Sequence, residues 1–538
     1  MDYQSFLFKL KMVFVILMIV SVIGLDTLKA SEFEEGILQL TQNGFTEKNE
    51  GLTRIVSSRD KRTGNILHAL LDNKLFYLTQ DKTVVFAEET DDQYIAVDVV
   101  TGKKLEPLSK ENFKKIGINN QIREKLKGWI SELELSSDDP DIRMTAVYSM
   151  LDKTDPEMME GFKNRLLIEP DKNVRKALNV ALSVGSLKSG SQKEKLDALL
   201  QLEGELHPAV RDAILETVKN EAEPELKNKA INTLQGIEFR VEIFEWFETL
   251  FFGLSAGSIL VLAAIGLAIT FGVIGVINMA HGELIMIGAY TTYVIQQILP
   301  ESIGISIFLA IPAAFLVSGL TGILIERSII RFLYGRPLET LLATFGLSLV
   351  LQQAVRSIFS PLNRAVKMPD WMSGSLYINP VLSLTMNRIF VLIFCLLVFF
   401  VLYLTIKKTT LGLQVRAISQ NRPMARAMGV KAGRVDALTF GLGSGIAGVA
   451  GVALSQLTNV GPNLGQAYII DSFMVVVFGG VGNLWGALLA GLSLGTANKF
   501  IEPFSGAVLA KIIILVFIII FIQKKPQGLF PQKGRAAG

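Results

Sequence analysis

No Asp, Glu, Lys or Arg occurs in the 32 residues from Thr249 to Ala280. As one helix this run would measure about 48 Å, against roughly 30 Å for the hydrocarbon core of a bilayer. It is longer than one straight crossing and has to break. The break is expected where polarity returns, in Gly275–Tyr290, which reads Gly-Val-Ile-Asn-Met-Ala-His-Gly-Glu-Leu-Ile-Met-Ile-Gly-Ala-Tyr. Asn278, His281 and Glu283 thus fall inside a glycine-rich apolar stretch. Irregular backbone at membrane depth is tolerated where it lines a cavity, so the pattern points to a transport passage.

Hydrophobic residues make up 50% of the 538, but they are unevenly spread. Up to about Arg240 the chain is charged and ordinary; after Leu250 long uncharged runs alternate with short charged ones. The first part reads as soluble and the second as polytopic membrane protein, mostly α in class. A net charge of +3 gives no reason to expect nucleic acid as a partner. The single cysteine, Cys395, excludes an intrachain disulfide and reads as packing in an apolar run. Lys9 and Lys11 precede a short apolar run, Met12–Leu25, which ends at Asp26 ahead of Ala30. Residues 1–30 are therefore expected to be a signal peptide, with an uncleaved anchor as the alternative. Either way the following domain is expected on the outer side of the membrane, periplasmic or extracellular.

Residues 31–120 alternate polar and apolar, an exported mixed α/β region. Lys74–Ala87 and Gln93–Val100 have strand character, and Thr101-Gly102-Lys103 reads as a turn. Residues 121–240 are helical and repetitive. Asp139-Pro140-Asp141-Ile142-Arg143, Asp171-Lys172-Asn173-Val174-Arg175 and His207-Pro208-Ala209-Val210-Arg211 are each followed by an alanine, at Ala146, Ala177 and Ala213. Glu223-Pro224-Glu225-Leu226-Lys227, with Ala230, is a weaker fourth copy. The pattern resembles HEAT-like repeats, in which an acidic residue caps a helix, the Val-Arg pair sits in its first turns and helical hairpins stack. His68 and His207 have no Cys or His neighbours at ligand spacing, so no metal or other cofactor is expected.

Nine crossings are expected within a permease domain at 241–530: Thr249–Phe271, Gly272–Leu299, Ile303–Ile325, Leu338–Ile358, Ile389–Ile406, Ala437–Leu457, Tyr468–Val481, Leu484–Lys499 and Ala507–Ile522. The loop Lys407–Val435 carries seven basic residues and no acid, the segment after Ile522 is also acid-free and basic, and Glu326–Arg336 adds Arg327, Arg331 and Arg336. Positive-inside bias places all three in the cytoplasm, with a cytoplasmic tail at 531–538. An outer N-terminal domain and an inner C-terminus require an odd number of crossings, and nine satisfies this. Against the rule, Arg356, Arg364 and Lys367 fall in a loop expected outside. Gly441, Gly443, Gly445, Gly448 and Gly451 recur in one span, which suits close helix packing.

Several motifs carry a family resemblance. Asn278-Met279-Ala280-His281-Gly282 with Gly288-Ala289-Tyr290 resembles the first motif of the branched-chain amino-acid type permeases of ABC importers, the LivH-like group. Arg416-Ala417, Asn421, Ala425, Met428-Gly429-Val430, Arg434 and Thr439-Phe440 resemble the cytoplasmic loop by which these permeases contact their ATPase. Val477-Phe478-Gly479-Gly480-Val481-Gly482-Asn483 with Gly486-Ala487 is a third match. The long exported extension, the string Ile470–Gly480 and the ending Gln523–Phe530 resemble the permease of urea importers within that family. The resemblance implies a permease subunit moving urea across the inner membrane. It also implies ABC ATPase subunits, a second permease subunit and an exported solute-binding protein as partners, in contact with membrane lipid. No Gly-x-x-x-x-Gly-Lys-Ser/Thr motif occurs, so ATP hydrolysis is expected from separate subunits and the chain is not expected to be an enzyme.

The residues suit a small neutral solute. Urea offers two amide donors and a carbonyl acceptor, and its passage needs hydrogen-bonding groups with little fixed charge. Asn278, His281, Glu283, Tyr290, Asn459 and Asn483 are the candidate pathway residues. The alternative is that Asn278 and His281 only tie a broken helix together. His281 and Glu283 are two residues apart and point to different helix faces, a poor metal pair. Arg416, Ala417, Asn421, Ala425, Arg426 and Gly429 are the candidate ATPase-coupling residues, with a short coupling helix expected over Asn421–Met428. Asp471 is expected to cap a helix, and Lys511 to snorkel to the interface. Rival readings are a permease for branched-chain amino acids or short amides, and a membrane-anchored interaction scaffold built on the repeats.

Overall fold

A computed structural model describes residues 32–531, apart from 59, 91–92, 106–107 and 152–155. The expected signal peptide and most of the 531–538 tail lie outside the described residues. The chain divides into two compact units, Met1–Ile237 and Glu238–Gly538.

The first unit opens with helices α1 (32–40), α2 (Phe45–Ser57) and α3 (Thr63–Leu71). An antiparallel sheet follows, with strands β1 (Leu75–Leu78), β2 (Val84–Thr90), β3 (Gln93–Asp98), β4 (Leu108–Ser109) and β5 (Phe113–Lys115) in the order β4-β3-β2-β1-β5. Gly102 adopts φ +69 in the turn after β3, where its amide donates to the Asp98 carbonyl. Phe33, Leu52, Ile66, Leu75 and Leu126 bury one core beneath the helices and sheet.

Six helices complete the unit: α4 (Asn120–Glu134), α5 (Pro140–Ser149), α6 (Pro156–Ile168), α7 (Lys172–Ser189), α8 (Gln192–Gln201) and α9 (Pro208–Asn220). The residues that open the repeated sequence are N-caps. Asp139, Asp171 and His207 each accept from a backbone amide in the first turn of α5, α7 and α9. The repeated arginines are not equivalent. Arg175 and Arg211 are exposed, whereas Arg143 is buried and donates twice to Glu169, at 3.0 and 2.6 Å. Arg165 adds a third bond to Glu169 at 3.0 Å. Burial alone would raise the Glu169 carboxyl, but the bonds from Arg143, the Asp171 amide and Arg165 outweigh it and hold it below its ordinary range.

The second unit is helical. Its elements are α10 (Pro224–Ile274, beginning in the first unit), α11 (His281–Ile298), α12 (Ile303–Ser328), α13 (Pro337–Phe359), the hairpin β6 (Ser375–Tyr377) and β7 (Ser383–Thr385), α14 (Met386–Lys408), α15 (Thr410–Gln420), α16 (Arg422–Ala427), α17 (Ala432–Ser455), α18 (Leu464–Gly479), α19 (Leu484–Ser505) and α20 (Ala507–Lys524). Eight of the nine expected crossings overlap a single helix each, whereas Gly272–Leu299 begins in α10 and runs through the break into α11, because α10 continues to Ile274. Among the described residues, six helices are long and apolar enough to cross a membrane by length and composition: α10, α12 with the turn after it, α13, α14, α17 and α20. The other three segments expected to cross fall short for visible reasons. α11 is opened by His281 and Glu283, α18 has only 16 residues, and α19 carries Lys499 and Glu502.

Glycine sets the packing at the centre. A side chain on Gly288 of α11 would collide with the Gly448 backbone of α17, and one on Gly451 would collide with the Ile285 carbonyl. Ser318 of α12 donates to the Leu284 carbonyl of α11 at 3.0 Å. Helices α11, α12 and α17 thus meet backbone to backbone, as small residues permit in a membrane.

Candidate functional site

The long apolar run is interrupted where its length requires. α10 ends at Ile274, Gly275 takes φ +73, and α11 starts at His281. Six residues between the two helices leave helix-terminal amides and carbonyls to satisfy inside an apolar unit. Side chains do much of this. Asn278 Oδ1 accepts from the Ala280 amide at 3.0 Å, and Thr344 Oγ1 accepts from the Met279 amide at 3.1 Å. His281 Nε2 lies 2.9 Å from the Ala263 carbonyl of α10. A carbonyl only accepts, so Nε2 carries the proton.

Glu283 is the most buried acid of the site, 1% exposed. Its Oε1 accepts from Ser348 Oγ at 2.9 Å and from Gln352 Nε2 at 2.7 Å, both on α13. These partners belong to a polar stripe on α13 outside the candidate pathway residues. Thr340, Thr344, Ser348 and Gln352 recur every four residues, and all four are buried. A four-residue step turns about 40° past one helical turn, so the stripe winds slowly around a single face of α13. That regular spacing within an otherwise apolar span was the available signal.

Four polar atoms of the site have no partner among the described residues: Asn278 Nδ2, His281 Nδ1, Glu283 Oε2 and Tyr290 OH. Tyr290 lies seven residues beyond Glu283, on the same side of α11 and about 10 Å along its axis. Its ring packs against Phe359, with centroids 4.8 Å apart. Buried unsatisfied donors and acceptors are uncommon and costly, and together these four offer both donors and acceptors. Asn278, His281 and Glu283 are at most 1% exposed, so the site is closed in this state.

The remaining candidates lie elsewhere. Asn459 is exposed in the loop after α17. Asn483 caps α19, accepting from the Gly486 amide and donating to the Phe530 carbonyl. Asp471 does not cap a helix: it lies within α18 and pairs with Lys511 at 3.1 Å, so that lysine reaches a carboxylate rather than only the interface. The deciding factor, a partner on α20, is invisible in local sequence.

The basic loop is ordered. Val415, Ile418, Ala425, Ala432 and Val435 form a small core that holds α15 and α16 against α17. Asn421 caps α16, accepting from the Met424 amide at 3.0 Å. Arg416 donates to the Ile406 carbonyl and Ala417 packs beside the small core, so both serve the loop's own structure. Arg426 and Gly429 face outward beside exposed Met424 and Met428.

A bundle of apolar helices around a glycine-interrupted, polar, closed centre defines a multi-pass membrane permease. Residues 249–522 match the family described as branched-chain amino acid transport system / permease component, and the chain belongs to that family. It is 32% identical over 300 residues to the high-affinity branched-chain amino acid transport system permease protein BraD of Pseudomonas aeruginosa, covering 54% of this chain and 96% of that protein. The permease protein LivH of Escherichia coli K12 is 31% identical over 293 residues, 52% of this chain and 94% of its own. A probable LivH of Methanocaldococcus jannaschii is 26% identical over 285 residues, 51% of this chain and 88% of its own. No solved structure matches the chain. The chain is therefore a permease component of an ABC transporter of the inner membrane, a transport subunit rather than an enzyme. Such subunits work with ATPase subunits and periplasmic binding proteins.

Proposed function

We propose that this permease moves urea through the α10–α11 break, with α16 as the helix that meets the ATPase. One observation carries the choice of solute. Among the described residues of the second unit, no Lys or Arg is buried. The closed centre offers an amide, an imidazole, a carboxyl group and a phenol. A neutral amide meets donors and acceptors there, whereas the carboxylate of a zwitterion would find no buried counter-charge and would bear a large desolvation cost. The resemblance of Ile470–Gly480 and Gln523–Phe530 to urea-importer permeases supports the same solute.

A second reading, branched-chain amino acids, is favoured by the names of the relatives above. Uptake of radiolabelled urea and leucine by cells carrying the whole importer separates the two. Urea uptake that leucine does not compete supports the proposal; leucine uptake without urea uptake overturns it.

In the same reading nine helices cross the membrane, α11, α18 and α19 being shielded by their neighbours. The outward-facing Arg426 and Gly429, with Met424 and Met428, form the surface that seats in an ATPase groove. Arg416, Ala417, Asn421 and Ala425 shape that surface from behind. A second permease subunit completes the passage. The first unit faces the periplasm and stacks as HEAT-like hairpins, its three capped helices presenting a surface to a partner protein.

A further inference from the structure

Four charged or polar side chains meet behind α16 and join elements distant in sequence. Arg422, the first residue of α16, pairs through Nη2 with Asp436 Oδ2 in α17. The same guanidinium lies 5.0 Å from the centre of the Tyr334 ring, between α12 and α13. Tyr334 donates its hydroxyl to Glu326 Oε1 of α12 at 2.7 Å. Burial, with the bond to Glu326, pushes the Tyr334 hydroxyl far above the ordinary phenol range, so it keeps its proton and donates.

Both carboxylates are buried, Asp436 at 0% and Glu326 at 1% exposed. Asp436 Oδ1 has no hydrogen-bond partner among the described residues. Arg422 is thus the one cation paired with Asp436 among the described residues. Separating the pair would strand a buried charge, which makes it far stiffer than an exposed ion pair. The pair therefore fixes α16 to α17, and Tyr334 with Glu326 fixes α12 to the same point.

Helix α17 has little freedom to absorb a push. It meets α11 through Gly288–Gly448 and Gly451–Ile285, and it meets α12 at Gly322–Ser444, all without intervening side chains long enough to rearrange. Close-packed backbones transmit displacement rather than deform. The first turn of α11 carries His281 and Glu283.

We propose that Arg422–Asp436 is the link that carries movement of α16 to the α10–α11 break, with Tyr334–Glu326 as its second anchor. This rests on α16 being the ATPase-contacting helix. Arg422 and Asp436 are then positioning residues: they touch neither solute nor nucleotide, yet transport depends on their staying paired.

The test uses the complete importer, permease with its ATPases and binding protein, in proteoliposomes. Unstimulated ATPase rate, solute-stimulated rate and co-purified ATPase are measured for Arg422→Gln, Asp436→Asn, the double variant and Arg426→Glu. The expected result is full ATPase association and unchanged unstimulated rate in the first three, with stimulation reduced about fivefold or more in each single. The double variant should lose no more than either single, because both break one link. Normal stimulation in both singles, or losses that multiply in the double, would overturn the inference. Arg426→Glu tests the underlying reading separately: if it keeps both its ATPase and its stimulation, α16 is not the contacting helix. If Arg426→Glu uncouples while Arg422→Gln and Asp436→Asn do not, only the link fails. Should either of those fail to assemble, Tyr334→Phe carries the test, since it removes only the hydroxyl bond to Glu326. Lowered stimulation supports the link and unchanged stimulation refutes it.

Discussion

Glu283 and Gln352 meet at 2.7 Å across α11 and α13, and Ser348 meets the same carboxylate oxygen at 2.9 Å. The second oxygen has no partner among the described residues. Glu283 thus has one oxygen committed to structure and one open to a passing donor. Glu283→Gln keeps an acceptor for Ser348 and Gln352 and is expected to assemble normally. Glu283→Ala strands both donors, at about 1–3 kcal/mol for each buried group left unsatisfied. Thermal stability of the detergent-purified complex should fall for the alanine variant and hold for the glutamine variant; equal losses would place the role of Glu283 elsewhere.

Packing makes a separate prediction. The Gly448 backbone of α17 fills the space that a Gly288 side chain would need. Gly288→Leu should therefore prevent α11 from docking on α17 and abolish the assembled complex, whereas Gly346→Leu, on open space in α13, should be tolerated. Yield of co-purified ATPase reads this directly. Equal yields would show that α11 and α17 are not in backbone contact.

The first unit carries a pH prediction. Glu169 is held below its ordinary pKa by its bonds to Arg143, the Asp171 amide and Arg165 against the cost of burial. Its contribution to stability is complete above the unfolded carboxyl range, near about pH 4.3, and is lost as pH falls through the lower folded value. Hydrogen exchange of α5 to α7 in the intact chain, corrected for intrinsic rates, should accelerate as pH drops below about 4.3. In Glu169→Gln, exchange should be faster at neutral pH and should lose that acid step.

Much of this arrangement was legible. The excess length of the apolar run required a break, and the polar cluster located it between Ile274 and His281. The caps Asp139 and Asp171 are visible because capping by an acid depends on local spacing, whereas His207 takes the same place in α9 without being an acid. What local sequence does not carry is set by tertiary contact. Thr344, Ser348 and Gln352 look like tolerated polar residues in a span until α11 places Glu283 against them. Asp436 stands one residue past an acid-free loop, and only the fold brings Arg422 onto it. Asp471 reads as a cap because Lys511, its partner, is 40 residues away.

Orientation is testable by labelling in a Cys395→Ala background. Cysteines at Ser189 and Asn363, both exposed, should react with a membrane-impermeant reagent added outside, and one at exposed Gln420 should react only after permeabilisation. Reaction at Gln420 in intact cells with Ser189 protected would invert the arrangement.

If the α10–α11 break conducts the solute, uptake depends on Asn278. Its Oδ1 holds the Ala280 amide while its Nδ2 is free. Asn278→Asp keeps the acceptor and removes the free donor; Asn278→Leu removes both. Losing a hydrogen bond to the passing solute should cost about 1–3 kcal/mol, or roughly 5- to 150-fold in rate where that step limits transport. Radiolabelled urea uptake per assembled complex is therefore expected to fall at least about fivefold in both variants, with ATPase and binding protein still engaged. Near-normal uptake per complex in both would contradict the account.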